Sequence, residues 1–323
     1  MNNTCCKACP SSNLEWKPLI VFVLLHSLSG IFAFFGNAVV LVSIIKTHSL
    51  QTLSNFFLAS LSTADLMVGL IINPLYIAIA SLGVWMNTTH PLYIMENFMW
   101  VQSLIATAFS LAAISIDRYI AVTRVFRYQE IMTKSRCITS IVFIWSFSIA
   151  FASVTLFTPE QHTGLLWTMC LILSFGIPFI VIIFCYFNIL KTSRYQARRI
   201  AVLHSHDVKK RKEVLRNHKA TYTIAIIILI FVSFFAPNFV FSILSLKTDN
   251  NCTMNRIYRS WLWCIWVLFT SSAINPWIYA IRNTEFRTAM KRVLRFKRST
   301  AVILSRGHQR SKGTQAMQGN IKL

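Results

Sequence analysis

The chain has 323 residues, of which 55% are hydrophobic and 13% charged, with a mean hydropathy of +0.55. This balance excludes an ordinary soluble domain and predicts an integral membrane protein. A formal net charge of +22 would indicate nucleic-acid binding in a soluble protein, but the basic residues here follow particular loops, so we expect no nucleic-acid partner.

Seven apolar runs are each long enough to cross a bilayer as a helix, since about 20 apolar residues span its hydrocarbon core. They cover residues 19–45, 56–82, 94–122, 137–157, 165–190, 220–246 and 257–281. The runs are continuous rather than alternating in polarity, which favours helices over barrel strands. The sequence therefore predicts an all-α membrane protein built as a seven-transmembrane helix bundle.

Basic residues are distributed unevenly between these runs. Of the 32 lysine and arginine residues, all but five lie in the loops after the first, third and fifth runs, at the adjoining span ends or in the C-terminal tail. By the positive-inside rule, this distribution predicts an extracellular N-terminus and a cytoplasmic C-terminus. The N-glycosylation sequons begin at Asn2, Asn87 and Asn251, and all three fall on the predicted outer side.

Acidic residues inside the runs are rare. Asp65 lies in the second run, and we expect it to be the only acid buried mid-span. A lone carboxylate in a dry bundle should bind a cation or a proton, or bond to polar side chains. A purely structural hydrogen-bonded role is the alternative. Glu96 lies near the outer end of the third run, where water can solvate it.

Asp117, Arg118 and Tyr119 follow one another at the inner end of the third run. An arginine beside an aspartate at the lipid–water boundary costs free energy unless the two pair or reach water. Such charges therefore usually mark a working site. The alternative is that Arg118 is an ordinary basic flank of a membrane span.

A basic segment with apolar residues at helical spacing follows the seventh run. Its apolar members are Phe286, Ala289, Met290, Val293 and Leu294. This pattern predicts a short amphipathic eighth helix that lies on membrane lipid. We expect one seven-helix domain over residues 19–296, an extracellular tail at 1–18, and a cytoplasmic tail at 297–323 whose polar composition predicts disorder.

Five of the eight cysteines lie on the predicted outer side, where disulfides can form. They are Cys5, Cys6 and Cys9 in the tail, with Cys252 and Cys264 in or beside the last outer loop. A tail-to-loop disulfide is open, since spacing does not give the connectivity.

Several short motifs occur in order along the runs. They are Asn37 after a glycine, Asp65 in LxxxD, Asp117-Arg118-Tyr119, Trp145, Pro178 with Tyr186, Pro237, and Asn275-Pro276-Trp277-Ile278-Tyr279. Over roughly residues 32–296, this order resembles that of the rhodopsin-like (class A) G-protein-coupled receptors. The resemblance implies a receptor of the plasma membrane, not an enzyme, which passes the binding of an extracellular ligand to a heterotrimeric G protein.

The resemblance also implies a switch at the inner face. Asp117 would hold Arg118 in the resting state by a charge-assisted bond. On activation the sixth helix would swing outward at Pro237, and Arg118, Tyr186 and Tyr279 would reorganise around a cavity that admits the G protein. The motifs of this switch also include Tyr119, Asn275 and Pro276.

Asp65 resembles the carboxylate of the family's allosteric sodium pocket. The other predicted members of that pocket are Ser103, Thr107, Ser271 and Asn275. One carboxylate with several neutral oxygens suits a hard monovalent cation, which would stabilise the resting state. We expect no other metal and no cofactor.

Departures from the family bear on the ligand. Trp100 stands where its amine receptors have an aspartate, which argues against a protonated amine anchored in their way. Tyr93 replaces the cysteine of the usual outer disulfide. That loss and a short second outer loop resemble the melanocortin receptors, yet the subfamily stays undecided. The predicted ligand pocket comprises Trp100, Gln102, Phe235 and Asn238, although core packing is the alternative for Phe235.

A membrane transporter or channel with Asp65 as its ion site is the alternative function. It would predict several intramembrane charges or repeated broken helices, and the sequence has neither. A membrane enzyme is a third class, but no cluster of acidic and histidine residues lies at one membrane depth. Arrestin is a further expected partner, recruited by phosphate on the C-terminal tail.

Overall fold

A computed structural model describes residues 14–85, 87, 89–158, 162–202, 222, 225–226, 228–230, 232–244, 247–248 and 251–295. Six helices in this part of the chain are long and apolar enough to cross a membrane, and a shorter apolar helix lies in the sixth predicted span. We number the helices α1 (Trp16–Lys46), α2 (Leu53–Leu82), α3 (Pro91–Thr123), α4 (Lys134–Val154), α5 (163–202), α6 (Ile228–Leu244), α7 (Asn251–Arg282) and α8 (284–295). The predicted seven-helix bundle is confirmed.

The bundle has two ends, which we name after a residue at each. The Asn87 end contains the loop from α2 to α3, and the Asp117 end contains the end of α3. The predicted tail at 297–323 lies outside the described residues, as does most of the tail at 1–18.

Polar caps extend several helices beyond their apolar runs. The Thr52 hydroxyl accepts the Asn55 backbone N–H at 3.4 Å and begins α2. His90 Nδ1 accepts the backbone N–H of Leu92 at 3.2 Å at the start of α3. Such caps satisfy backbone donors that the first turn of a helix leaves free. The helices therefore begin before the predicted runs at residues 56 and 94.

Helix α3 lies at the centre of the bundle, in contact with α2, α4 and α5. Small residues along it, including Ala106, Ala108 and Ser110, are buried. Small side chains let neighbouring membrane helices approach closely and gain dispersion contacts. The central position of α3 brings its polar side chains between the other helices, where the candidate sites are found.

Two glycines set the spacing of α1 against its neighbours. A Cβ atom at Gly69 of α2 would lie 2.5 Å from the backbone nitrogen of Phe34, and one at Gly36 would lie 2.9 Å from Cγ of Pro276 in α7. Both distances are too short for non-bonded atoms. Only glycine therefore permits these contacts of α1 with α2 and α7.

A wide π-helical turn precedes the proline in both α2 and α5. The turn at Val68–Ile72 precedes Pro74, and the turn at Ile172–Gly176 precedes Pro178. Proline has no N–H to donate, so a wider turn accommodates the carbonyl that it leaves unpaired. In α2, the side-chain amide of Asn73 donates to the Val68 carbonyl at 3.1 Å. One extra residue in a turn rotates the following side chains by about 100°.

The predicted eighth helix is present as α8. Phe286 is buried and its ring centroid lies 5.8 Å from that of Tyr279 in α7, while Ala289 is also buried. Leu294 remains exposed. The apolar side of α8 thus packs partly on the end of α7.

The described cysteines settle part of the disulfide question. Cys252 forms a disulfide, whereas Cys264 is a free thiol. Cys264 is therefore not a disulfide partner. The predicted tail cysteines, Cys5, Cys6 and Cys9, lie outside the described residues.

Candidate functional site

The Asp117 end of the bundle holds a buried ion pair. Asp117 has no exposed surface, and the Arg118 side chain is only 14% exposed. Arg118 Nη2 lies 2.5 Å from Asp117 Oδ2, and Arg118 Nε donates to the same oxygen at 3.0 Å. Asp117 thus holds Arg118 by charge-assisted bonds, and the arginine is more than a solvated basic flank.

Two hydroxyl groups complete the shell around Asp117. Ser54 of α2 donates to Asp117 Oδ2 at 2.6 Å, and Tyr128 of the following short helix donates to Oδ1 at 2.7 Å. Arg118 Nη2 also donates to the Ser54 hydroxyl. Burial, and then the negative charge of Asp117, raise the pKa of Tyr128 to about 12, so the phenol keeps its proton at neutral pH.

Sequence reasoning missed the roles of Ser54 and Tyr128. Ser54 precedes the second apolar run, and Tyr128 lies in a basic loop, so neither stands out by spacing or composition. Their positions relative to Asp117 depend on how the loop after α3 folds back under the bundle, which no local pattern encodes.

Two tyrosines of the predicted switch have no hydrogen-bond partner for their hydroxyl groups among the described residues. They are Tyr186 of α5 and Tyr279 of α7. Tyr186 lies close enough to Arg118 to interact with its charge. Tyr119 packs instead on Phe184, with ring centroids 5.9 Å apart. Of the predicted switch residues, Asp117, Arg118, Tyr119 and Tyr186 thus lie at the Asp117 end. Asn275 instead bonds to Asp65, and among the described switch residues only Asp117 and Arg118 bond to each other.

Asp65 forms a second polar site in the middle of the bundle. It is 1% exposed, and its Oδ2 accepts the side-chain amide of Asn275 at 2.7 Å. Its Oδ1 is buried without a hydrogen-bond partner in the described structure. Asn275 precedes Pro276 inside α7, so this bond links the second and seventh spans. The carboxylate keeps unused capacity to accept a cation or a donor.

The other predicted members of the sodium pocket differ in their contacts. Ser271 donates to the Leu268 carbonyl at 2.6 Å, whereas its neighbour Ser272 lies beside the Asp65 carboxylate. Ser103 and Thr107 are buried on α3, but within the described residues neither hydrogen-bonds to Asp65. The sequence thus identified Asp65 and Asn275 as neighbours and did not identify Ser272.

The predicted ligand-pocket residues are all buried. Trp100 packs on Trp167, with ring centroids 5.6 Å apart, and Phe235 stacks on Phe175 at 5.0 Å. Asn238 of α6 donates to the Cys264 carbonyl of α7 at 2.9 Å. The Oε1 atom of the fourth residue, Gln102, has no hydrogen-bond partner in the described part of the chain. The stacking of Phe235 agrees with its alternative role in core packing.

Glu96 corrects an expectation. Solvation at the outer end of the third run was expected, but Glu96 is 5% exposed and accepts a hydrogen bond from the Tyr76 hydroxyl of α2. Asp65 is therefore not the only acid buried within a span. The extra residue in the π turn of α2 rotates Tyr76 relative to a regular helix, which composition alone does not predict.

Tyr76 continues into a polar network at the Asn87 end. Its ring stacks on that of His26 in α1, with centroids 5.7 Å apart. His26 Nδ1 lies 2.7 Å from Asn73 Oδ1, and Ser29 donates to the same oxygen at 3.4 Å. Residues from α1, α2 and α3 thus form one buried polar cluster, which the sequence analysis did not identify.

The sequons differ in what the structure describes. Asn87 is exposed, and its Oδ1 accepts the Thr89 hydroxyl at 2.9 Å. Asn251 begins α7, and Asn2 lies outside the described residues. Among the described residues, no group of three or more His, Cys, Asp or Glu side chains could hold a metal ion.

The comparisons with known proteins agree with this geometry. Residues 36–279 match the family described as 7 transmembrane receptor (rhodopsin family). The histamine H2 receptor of Cavia porcellus is 31% identical over 79% of this chain and 74% of its own length. The trace amine-associated receptor 9 of Mus musculus is 28% identical over 91% of this chain and 89% of its own length, and that of Homo sapiens is 26% identical over 93% of both.

Proposed function

Because the chain belongs to the rhodopsin family of seven-transmembrane receptors, we propose that its Asp117–Arg118 pair is the switch through which an extracellular ligand activates a heterotrimeric G protein. The family consists of receptors rather than enzymes, and the alternative of a transporter loses its support. The observation that carries the proposal is the closed shell of bonds from Arg118, Ser54 and Tyr128 to one buried carboxylate.

The switch works as a two-state equilibrium. In the resting state Asp117 restrains Arg118, so the arginine is unavailable to a partner. When α6 moves outward at Pro237, Arg118 leaves this shell, and the free hydroxyls of Tyr186 and Tyr279 become its new neighbours. A ligand shifts the equilibrium only by the difference between its affinities for the two states.

The receptor lies in the plasma membrane with its Asn87 end extracellular and its Asp117 end cytoplasmic. The distribution of basic residues supports this orientation, because lysine and arginine accumulate on the cytoplasmic side of membrane proteins. The basic face of α8 then contacts anionic lipid, and phosphorylation of the tail after residue 297 recruits arrestin.

A sodium ion bound at Asp65 stabilises the resting state. The support is chemical: a buried carboxylate oxygen without a hydrogen-bond partner needs a cation or a donor, and Ser272 and Asn275 supply neutral groups beside it. Ser103, Thr107 and Ser271 complete the predicted pocket. The ion would contribute a positive charge between α2 and α7 and no chemistry of its own.

The names of the relatives suggest the ligand class. Those proteins are named for histamine and for trace amines, and we propose that the ligand of this chain is also a protonated amine. Trp100 stands where the amine receptors have an aspartate, so an amine here requires another anchor.

Nucleotide exchange on purified G proteins tests the switch. Basal and amine-evoked exchange should fall to the level of empty membranes in Arg118→Ala. Arg127→Ala is the matched control, because Arg127 lies in the adjoining loop and its one ion pair in the described part of the chain is with Glu130, at 3.3 Å on an exposed surface. Exchange that survives Arg118→Ala would contradict the proposed switch.

A further inference from the structure

A buried carboxylate bonded to a tyrosine of an aromatic cluster lies at the Asn87 end of the bundle, and the switch described above makes no use of it. We propose that Glu96 and this cluster bind the ammonium group of the receptor's ligand, a protonated or quaternary amine. The assignment of the ligand class rests on the proposed receptor function, whereas the binding site rests on the geometry below.

The position of Glu96 suits a ligand that enters from the Asn87 end. The residue lies five positions after Pro91, which begins α3, so it is roughly 8 Å inside the bundle at 1.5 Å per residue. Its carboxyl group is buried, and no ion pair within the described residues includes it. A buried carboxylate without a basic partner is costly, and a ligand cation would offset that cost.

Aromatic side chains pack on Tyr76, the hydrogen-bond partner of Glu96. The ring of Tyr76 lies 5.6 Å from that of Trp85 and 5.8 Å from that of Phe269 in α7. Trp100 follows Glu96 by one helical turn on α3, and its ring lies 6.4 Å from that of Trp261. Rings of this kind attract ammonium groups through their electron-rich faces, most strongly in a desolvated site.

Unused polar atoms point to a ligand as well. His26, whose ring stacks on that of Tyr76, has a buried Nε2 without a hydrogen-bond partner among the described residues. Its Nδ1 faces the acceptor Asn73 Oδ1, so Nε2 of the neutral ring is an acceptor that an ammonium N–H can use. The indole N–H groups of Trp85 and Trp100 are unpaired as well, but as donors they suit an acceptor elsewhere on the ligand and not its ammonium group.

This anchor differs from the usual one of the amine receptors by one helical turn. Their aspartate position is occupied here by Trp100, and Glu96 stands four residues earlier on the same face of α3. The ammonium group therefore lies closer to the extracellular surface. When the ammonium group binds Glu96, it displaces the Tyr76 hydroxyl. Tyr76 follows the π turn of α2, so ligand binding at Glu96 also changes the contacts of that helix.

Two substitutions separate this role from a purely structural hydrogen bond. Glu96→Gln removes the charge but keeps an oxygen that can accept from Tyr76, so a structural bond survives and cation binding does not. Tyr76→Phe removes the donor but keeps the charge, so cation binding survives and the structural bond does not. A site for a cation thus predicts opposite results from the two variants.

The experiment uses the full chain in lipid nanodiscs and three probes of one shape: phenethylamine, phenethyltrimethylammonium and the neutral 2-phenylethanol. The concentration dependence of the thermal unfolding temperature gives an apparent Kd for each probe, independently of any G protein.

In the parent chain both ammonium probes should bind more tightly than the alcohol. Glu96→Gln should weaken both by about 100-fold, the cost of removing one partner of a buried charge pair. In Tyr76→Phe, the apparent Kd of each ammonium probe should stay within about threefold of its parent value or fall, because the Tyr76 hydroxyl no longer competes with the probe for the carboxylate.

Glu15→Gln is the matched control. Glu15 precedes α1 at the same end of the bundle, but its side chain is 79% exposed and lies 3.9 Å from Arg259, so its loss should change no apparent Kd. If Glu96→Gln does not fold, Glu96→Asp replaces it, and that variant should still prefer the ammonium probes to the alcohol.

Equal binding of ammonium and alcohol probes, or unchanged ammonium binding in Glu96→Gln, would overturn the assignment of this site. Either result leaves the receptor switch intact, since exchange in Arg118→Ala is measured separately. Conversely, exchange that survives Arg118→Ala contradicts the switch and leaves ammonium binding at Glu96 unaffected.

Discussion

Three buried carboxyl groups in the described bundle are satisfied to different degrees. Asp117 accepts bonds on both oxygens, from Arg118, Ser54 and Tyr128. Asp65 has one oxygen without a partner, and Glu96 bonds to a single tyrosine with no basic residue paired to it. A satisfied carboxylate holds its neighbours in place, whereas an unsatisfied one attracts a cation. The three sites thus differ in role although their side chains are chemically alike.

Tyr128→Phe tests the restraint at Asp117. The substitution removes a hydrogen bond to a charged group, typically worth about 1.5–3 kcal/mol, so the resting state loses about that much stability if the bond breaks on activation. Basal nucleotide exchange should rise by about 10- to 150-fold where the active state was rare. Glu130→Gln is the control, since among the described residues the Glu130 side chain pairs with exposed Arg127 and not with Asp117. Unchanged exchange in Tyr128→Phe would show that the tyrosine does not restrain the switch.

Asp65→Asn tests the sodium site. Sodium at ten times its Kd should stabilise the parent chain by about 1.4 kcal/mol relative to potassium, because only the folded state binds the ion. Asparagine keeps an oxygen for Asn275 but loses the charge, so the difference between the two salts should vanish. Thermal unfolding in sodium and potassium chloride of equal concentration measures this. An equal sodium effect in the parent chain and in Asp65→Asn would show that sodium does not bind at Asp65.

The residue scale also shows what the sequence could predict. Asp117 with Arg118, and Asp65 with Asn275, were expected to act together because motif order identified them, and the structure brings each pair into contact. Glu96 was misjudged because its burial depends on the rings of neighbouring helices. A single sequence shows the spacing of residues along one helix, but not which side chains of other helices surround them.

At the scale of single helices, hydropathy predicted where the spans lie but not their internal irregularities. Because of caps such as Thr52 and His90, helices begin a few residues before the apolar runs that predict them. Pro74 and Pro178 were visible in the sequence, yet the π turns before them were not. Such a turn changes which side chains face the bundle, so it alters the site without altering the span.

Gly69→Ala tests the packing of α1 on α2. A methyl group there would lie 2.5 Å from the backbone of Phe34, so the helices must separate, at a cost of about 1–3 kcal/mol. Gly164→Ala is the matched control, because no other part of the described structure lies within 4 Å of the Cβ position and the helix gains propensity. Thermal unfolding should show a lower transition temperature for the first variant only. An equal temperature for Gly69→Ala and the parent chain would show that the close approach is not required.

For the whole molecule, the orientation in the membrane decides which end meets the ligand and which meets the G protein. The cation site proposed at Glu96 and the switch at Asp117 lie near opposite ends of α3. Helix α3 can therefore pass the binding of an extracellular ligand to a cytosolic G protein only if the Asn87 end faces outward. Every functional proposal thus depends on the sidedness inferred from basic residues and sequons.

Asn87→Gln tests that sidedness. Asparagine-linked glycans are added to the extracellular side of a membrane protein, and Asn87 is exposed with the Thr89 hydroxyl bonded to its side chain. The variant expressed in animal cells should lose the mass of one glycan, measured by mobility before and after enzymatic deglycosylation. Ile131→Asn is the counterpart at the other end, because with Thr133 it completes a sequon in the loop after α3. That site should stay unmodified, since the loop faces the cytoplasm. A glycan on the Ile131→Asn variant, with no change in Asn87→Gln, would show that the bundle has the opposite orientation. The ends assigned to the ligand and the G protein would then be exchanged.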